Sequence, residues 1–414
     1  MAEASQTVVR CNSHRNFGAI QLERSATRRL RNLNPCSAAC GSPVESAIVL
    51  RTPERMQAML SHPRVSKVRA GSTQRWPCPS AVFALLFFIA LFASVARGQK
   101  TPFADWSSLK NPVLSYSDWS IKDAAMAYRN GTVHIFFSAF YTRETGTVSH
   151  VVEVNTRDFK HYSAPILNFD GREDGWLGMC SPDVQRLNGQ YVMTFNSWGD
   201  KAGKPDQLFY KTSPDLVHWS ERRTLAHNLT MNNRVIDAAL AEADGGYYLI
   251  WKEGPRGKMR PRLAFAKTLD GPFAYIGDGL PSLLMASGRD NGLTHENYEF
   301  LYSKGKWYLL STDYKEKENQ TDVGEEIYLY KLELGSRWLK WTEGYPLDVP
   351  QEAFNTNNRD NAAALYDWRQ YDGYYYLIYA GRNEGETYAN RGWNQLGIAR
   401  STDLVHWVVP GEKP

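Results

Sequence analysis

Cysteine is scarce in this 414-residue chain, and scarcest in the part that has the composition of a folded domain. Cys11, Cys36, Cys40 and Cys78 precede a hydrophobic segment, and only Cys180 follows it. A single cysteine cannot form a disulfide within its own domain. Cys36 and Cys40 are spaced like zinc ligands, but no matching Cys or His pair follows them, so we predict no metal site.

The folded part also lacks an excess of positive charge. Residues 1–80 carry 12 Lys and Arg against 4 Asp and Glu, whereas residues 81–414 carry 36 against 40. The sequence pI of about 8.6 therefore reflects the leader and not the domain. We interpret residues 1–80 as a basic disordered leader and predict no nucleic-acid partner.

No apolar run reaches the usual length of a membrane-spanning helix. The segment Ala81–Ala96 has 16 uncharged residues, and a transmembrane helix needs about 20. Basic residues before it and small residues after it are typical of a signal peptide, which we place at 81–98. The alternative is a retained type II anchor, the only case in which we expect membrane association. Either case predicts a secreted or lumenal domain, in agreement with sequons at Asn130, Asn228 and Asn319.

Amphipathic helices are missing beyond residue 100, and a repeat takes their place. Five segments combine an acidic or amide residue, a polar turn ending in glycine and an aromatic-rich apolar run. The turn glycines are Gly131, Gly189, Gly245, Gly305 and Gly373. Such turns between β-rich runs indicate hairpins, and about 60 residues per unit is typical of four-stranded propeller blades. We predict an all-β, five-bladed β-propeller over residues 101–414, with 101–118 as a candidate extra strand of the last blade.

A second element recurs after these hairpins, with a Ser or Thr, an Asp and a His before an aromatic residue. Its histidines are His161, His218 and His406. Because Ser, Thr and Asp side chains cap turns, we interpret these histidines as structural residues of the repeat and not as ligands.

Carboxylates open four of the repeats: Asp123, Asp183, Asp237 and Glu296. Equivalent positions of a ring gather around its axis, so innermost strands would bring these groups together. Crowded carboxylates repel one another, which keeps one protonated while another stays ionised. Glycoside hydrolysis needs such a pair. The alternative is that Asp caps strand starts as a structural habit of the repeat.

These repeats resemble glycoside hydrolase family 43, the secreted five-bladed propellers that act on arabinan, xylan and related glycans. The resemblance covers about residues 120–410. It implies that Asp123 in IKDAAM is the general base, that Asp237 in VIDAALAEADGG tunes the acid, and that Glu296 in THENYEF is the general acid. CSPDVQRLNGQYV resembles the non-catalytic strand of blade two, so Asp183 becomes a substrate-facing wall residue.

The sequence departs from the family pattern in places. Ala follows Asp123 and Asp237 where Pro is common, and blade five has Arg359 near the place where many members hold a central cation with a His. The sequence therefore does not support a central calcium, and we predict no cofactor. Arg359, Trp198 and Trp251 are candidate substrate-binding residues.

Three further tryptophan and acidic positions complete the candidate set. Trp119 and Trp393 are additional candidates for stacking on a sugar face. Glu299 lies nearest to Glu296 as a rival acid, but three residues along a strand it should face elsewhere.

The resemblance implies inverting hydrolysis of pentose-containing polysaccharides or oligosaccharides. Three alternatives stay open: a glycan-binding propeller that has lost catalysis, a fructan-cleaving propeller and a protein-interaction propeller. The fructan-cleaving pattern has a blade-three Glu-Cys, which the sequence replaces with Asp237.

Overall fold

The computed structural model describes residues 103–144, 146–172, 175–199, 205–255, 258–317, 320–356 and 361–412. The leader at 1–80, the hydrophobic segment at 81–98, Asn319 and Arg359 lie outside these residues, so the predictions made for them stay predictions.

The described chain folds as antiparallel sheets that form five blades, numbered in chain order. Blade 1 contains β1 (Ser120–Arg129), β2 (Thr132–Arg143), β3 (Gly146–Thr156) and β4 (Leu167–Phe169). Blade 2 contains β5 (Gly178–Leu187), β6 (Gln190–Trp198), β7 (Leu208–Ser213) and β8 (Arg223–Thr224). Blade 3 contains β9 (Val235–Ala243), β10 (Gly246–Glu253), β11 (Arg260–Ala266) and β12 (Ala274–Tyr275). Blade 4 contains β13 (Ser282–Met285), β14 (Thr294–Ser303), β15 (Lys306–Lys317), β16 (Gln320–Leu332) and β17 (Lys340–Pro346). Blade 5 contains β18 (Asn361–Asp367), β19 (Tyr375–Gly381), β20 (Gln395–Ser401) and β21 (Trp407–Val408). Helix within the described ranges is limited to the 3₁₀ turn Trp106–Ser108 and the single turn His227–Thr230.

The blades form a closed ring around the strands β1, β5, β9, β14 and β18. Each of these inner strands contacts the next, and β18 contacts β1. Blades 1 and 2 are also joined by one parallel bridge between Ser149 and Gly178, and β13 pairs in parallel with β17 as a fifth strand of blade 4. The predicted five-bladed, all-β architecture is confirmed.

The hairpins between each inner strand and the strand that follows it confirm the turn prediction. In blade 1, Asn130 and Gly131 have φ of +51° and +80°, and blade 3 has Asp244 and Gly245 at +54° and +70°. Two successive residues with positive φ are the requirement of a type I′ turn, which Asn-Gly and Asp-Gly meet at little steric cost.

The hydrophobic core lies between neighbouring blades, as five clusters at five blade interfaces. Trp251 and Tyr210 pack together between blades 2 and 3, and Trp341 packs between blades 3 and 4. Burying a large apolar side chain stabilises a fold by about 1.5–3 kcal/mol. The aromatic-rich runs of the repeat are therefore the contact surfaces that hold the blades side by side.

The segment before β1 closes the ring onto blade 5. Leu114 forms a β-bridge with Leu396 of β20, and the Val113 amide donates to the Leu396 carbonyl at 2.8 Å. The Asn111 side chain adds a bond to the Ile398 carbonyl at 3.0 Å. The segment predicted as an extra strand therefore pairs with the last blade through one β-bridge and adjacent hydrogen bonds, and not as a full strand.

The recurrent histidine element is structural, as predicted. In its first copy, Asp158 accepts bonds from the backbone amides of Lys160 and His161 and from the His161 ring. The His161 side chain is 87% exposed, and the copies at His218 and His406 have the same contacts. A carboxylate that ties off a surface turn explains why the motif repeats without converging on any site.

Candidate active site

An extra residue in each of the five inner strands shapes the site. In blade 1, Lys122 pairs with Ser138 and Ala125 pairs with Phe136, so three steps along β1 match two along β2. β5, β9, β14 and β18 have the same irregularity. Such a bulge re-aims a side chain locally. In blades 1 to 4 the residues that carry it, with φ between +50° and +58°, are Asp123, Ser181, Asp237 and Asn297.

The bulged residues line one cavity of about 200 Å³ at the axis. Asp123, Asp237 and Glu296 all line it, and they are 4%, 5% and 9% exposed. The structure therefore brings together the three carboxylates that the resemblance assigns to catalysis.

Two lysines lie among the three carboxylates. The Nζ of Lys122 lies 3.3 Å from Asp123 Oδ1 and 4.0 Å from Glu296 Oε1. The Nζ of Lys252 lies 2.6 Å from Glu296 Oε2 and donates to the Tyr314 hydroxyl at 2.6 Å. A nearby ammonium group favours the ionised form of a carboxyl, so the lysines stabilise negative charge on Glu296.

Asn297 connects the two aspartates. Its Nδ2 donates to Asp123 Oδ1 at 3.0 Å and contacts Asp237 Oδ1 at 3.4 Å. The Ser181 hydroxyl reaches Asp123 Oδ2 at 3.5 Å, and Asn196 accepts a bond from the Asp237 backbone amide at 3.0 Å. These bonds hold both carboxylates toward the cavity.

Burial in the cavity changes the protonation of the aspartates. Burial raises the pKa of the Asp123 carboxyl, and the Lys122 ammonium partly offsets that rise. Burial raises the pKa of Asp237 to about 7, and the negative charge of Glu296 makes the second-largest contribution to this rise. Because neighbouring carboxylates contribute to both of these rises, the carboxyls titrate as a group and not as independent acids.

Asp183 does not lie in this cavity, which corrects its assignment as a wall residue of the catalytic pocket. The bulge places Ser181 at the position equivalent to Asp123, and Asp183 lies two residues farther along β5. Asp183 lines a smaller chamber deeper on the axis together with Glu299. Burial raises the pKa of Asp183 to about 7 and raises that of Glu299 well above its usual value. The prediction that Glu299 faces away from Glu296 is confirmed.

The candidate tryptophans separate into two groups. Trp198 lines the axial cavity that holds Asp123, Asp237 and Glu296, with its ring 5.2 Å from Phe140 and 6.1 Å from Tyr388. Trp251 is 0% exposed and belongs to the core between blades 2 and 3, so its assignment to substrate binding is wrong. Its aromatic run faces the neighbouring blade and leaves no surface for a ligand.

Trp119 and Trp393 lie away from the cavity. Trp119 packs against Tyr116, with ring centroids 5.1 Å apart, on the core between blades 1 and 5. Neither tryptophan is among the cavity's lining residues.

Several lining residues escape the sequence interpretation. Lys252 follows the buried Trp251 in the second strand of blade 3, and Arg234, whose Nε lies 2.9 Å from Asp206 Oδ2, precedes β9. Tyr314 and Tyr388 come from outside the inner strands as well. The repeat identifies inner strands, and only a lysine beside an otherwise apolar run marks Lys252 in the sequence.

The described part of the chain has neither a cluster of metal-ligating side chains nor a helix suited to a membrane. Across the described ranges, no group of three or more His, Cys, Asp and Glu side chains has an arrangement suited to a metal ion. None of the helices in that part of the chain has the length and apolarity needed to span a bilayer.

The sequence matches no protein-family model and no curated protein. Solved structures do match. A thermostable family-43 glycoside hydrolase is 13% identical with a TM-score of 0.52, over 74% of this chain and 98% of its own. An α-L-arabinofuranosidase from Lactobacillus brevis is 13% identical with a TM-score of 0.51, over 73% and 96%. A member of the GH130 family of mannoside phosphorylases, described as containing glycoside hydrolases for β-1,2-mannosidic linkages, is 14% identical with a TM-score of 0.51, over 72% and 96%. The chain thus has the propeller fold of these glycoside hydrolases.

Proposed function

We propose that this protein is a glycoside hydrolase that cleaves pentose-containing glycans. The observation that carries the proposal is the convergence of Asp123, Asp237 and Glu296 on one small axial cavity, with Asn297 joining the two aspartates. Hydrolysis of a glycosidic bond needs an acid and a base on opposite sides of the bond. A propeller that served only as a scaffold has no use for buried carboxylates with raised pKa values.

In the proposed reaction Asp123 acts as the base and Glu296 as the acid. Asp123 removes a proton from water, the water oxygen bonds to the anomeric carbon, and Glu296 gives a proton to the departing glycosidic oxygen. The Lys122 ammonium contacts both carboxylates, at 3.3 and 4.0 Å, so their nearer oxygens are no farther apart than these two distances combined. We propose inversion at the anomeric carbon, in which the water attacks the face of the sugar ring opposite the departing oxygen.

The acid role requires a proton on Glu296, whose resting partner is Lys252 at 2.6 Å. We assign Asp237 as the source of that proton, because its pKa of about 7 keeps it partly protonated at neutral pH. When a glycosidic oxygen lies beside Glu296, the proton shared by Asp237 and Glu296 moves to Glu296 and from there to the departing oxygen. This places one proton and one ionised base in the cavity before each turnover.

The substrate class and the secretory route are supported by observations other than the geometry of the carboxylates. The structural neighbours include an enzyme named for arabinofuranoside cleavage, and Trp198 offers an aromatic ring at the cavity wall. Secretion rests on the hydrophobic segment at 81–98 and on the sequons. We include both in the proposal.

Hydrolysis of aryl α-L-arabinofuranoside, aryl β-D-xyloside, arabinan, xylan and a fructan by the full-length protein tests the proposal. We expect cleavage of a pentoside, with loss of at least about 100-fold in kcat for Glu296→Gln and for Asp123→Asn, the scale of a lost acid or base. NMR of the first-formed anomer reports inversion.

Glu343→Gln is the matched control, because it makes the same change in the same blade at a residue that lines none of the cavities. It should keep the wild-type kcat. Glycan binding without turnover would instead support a propeller that has lost catalysis, and cleavage of the fructan alone would support the fructan-cleaving alternative.

A further inference from the structure

A second cavity, of about 440 Å³, lies at the other end of the axis. All five inner strands contribute to it near their hairpin turns, with Tyr128 from β1, Arg186 from β5, Glu242 from β9, Tyr302 from β14 and Tyr366 from β18. The catalytic carboxylates lie near the opposite ends of these strands. The second cavity is larger than the catalytic one and falls within the size range of small-ligand sites.

Five aromatic rings with polar tips line its wall, among aliphatic side chains of the inner strands. Tyr302 is 59% exposed, and its ring packs 5.0 Å from that of Trp307, which also lines the cavity. Tyr128, Tyr191 and Tyr366 complete the aromatic lining. Such rings offer an apolar face to C–H groups and a hydroxyl or indole N–H to polar groups of the same ligand.

The charges around the cavity balance. Arg186 and Glu242 have opposite charges, and Asp367 is paired with Arg369 at 2.5 Å. On the floor lies the buried carboxyl of Glu299, whose pKa burial raises well above its usual value. Gln185 presents an amide beside it, with Nε2 3.3 Å from Asp183 Oδ1. A lining of this kind complements a neutral, hydroxyl-rich ligand better than an ion.

We propose that this second cavity is a binding site for a short neutral oligosaccharide, separate from the catalytic cavity and at the opposite mouth of the propeller. Tyr302 and Trp307 stack on a sugar ring, and Arg186, Glu242 and Gln185 bind its hydroxyls. The cavity therefore attaches the enzyme to its polysaccharide while the catalytic mouth faces away from the attached segment. The choice of glycan rests on the function proposed above, whereas the site itself rests on this geometry.

Isothermal titration of the full-length Glu296→Gln variant with xylohexaose and with 1,5-α-L-arabinohexaose tests the proposal. We expect two binding events per chain. Adding Tyr302→Ala should weaken one of them about tenfold, the scale of a lost aromatic stacking contact, and leave the other. Adding Trp198→Ala should have the reverse pattern, since Trp198 lines only the catalytic cavity.

Tyr371→Ala is the matched control. Tyr371 is 43% exposed and its ring stacks on Trp368 at 4.1 Å, but it lies outside the second cavity. This variant should keep both binding events, and thermal melting checks that all variants fold.

The two proposals fail in different ways. Binding that Tyr302→Ala weakens, in a protein without hydrolytic activity, supports the second site and overturns the proposed function. Hydrolysis together with a single binding event, insensitive to Tyr302→Ala, overturns the second site alone. A peptide that binds there in place of both oligosaccharides, or the absence of any binding, overturns it as well.

Discussion

At the scale of single residues, the axial cavity holds buried lysines in contact with buried carboxylates. Lys252 is 3% exposed and lies between the carboxylate of Glu296 and the hydroxyl of Tyr314. Removing one partner of a buried ion pair leaves the other charge uncompensated. The stability lost in this way is larger than the stability that the pair contributes. Lys252 therefore influences the pH at which Glu296 accepts a proton.

Lys252→Met should shift the alkaline limb of the kcat/KM profile to higher pH. Without the ammonium, Glu296 keeps its proton to higher pH, and the acid form of the site persists. The profile, measured between pH 4 and 9 on an aryl pentoside, reports this shift. Lys252→Arg keeps the charge and should leave the limb in place; an unshifted limb in Lys252→Met would show that Lys252 does not control Glu296.

At the scale of strands, one inserted residue decides which side chains reach the catalytic cavity. The bulge makes Asp123, Ser181, Asp237 and Asn297 equivalent. The acidic residue of the sequence repeat shifts relative to this position from blade to blade.

The blades are predictable from the sequence, but the set of side chains that reach the axis is not. Turn glycines mark the hairpins because few other residues tolerate their φ, whereas a bulge leaves no such mark. Asp183 falls two residues past the bulged position and reaches the deeper chamber instead. Lys252 lies on a second strand, next to the fully buried Trp251, and only the folded ring brings it to Glu296.

The inner strands also carry the buried pair of Asp183 and Glu299, with a consequence for stability. The pKa of Asp183 is about 7 in the folded protein, above the usual value of 3.8. Between these values the folded state binds a proton that the unfolded state has lost, so stability falls as pH rises through this window.

Asp183→Asn should remove this loss while keeping an oxygen acceptor for Gln185. Its melting temperature relative to wild type should therefore rise from pH 4 to pH 8, as measured by calorimetry. Asp244→Asn, at an exposed hairpin turn, serves as the control. A difference between Asp183→Asn and wild type that is constant over this pH range would contradict the buried-pair interpretation.

At the scale of the whole molecule, stability depends on closing the ring. Leu114 is 6% exposed and packs in the cluster between blades 1 and 5. Leu114→Ala should lower the free energy of unfolding by about 2–4 kcal/mol, the range for a buried leucine. Urea denaturation measures the change.

Leu334→Ala is its control, since Leu334 is 94% exposed and its truncation should change stability by less than about 0.5 kcal/mol. Equal effects of the two substitutions would show that the segment before β1 does not contribute to closure.

The bridge between Leu114 and Leu396 also sets an order of events during synthesis. The segment around Leu114 leaves the ribosome before any blade, and its pairing partner in β20 leaves only after blades 1 to 4. Four blade interfaces can assemble in turn as each blade emerges, but the interface between blades 1 and 5 has to wait for nearly the whole domain. During that time the unpaired faces of blade 1 and of each newly made blade stay open to other chains. The nascent protein therefore has its greatest need of a chaperone just before the ring closes.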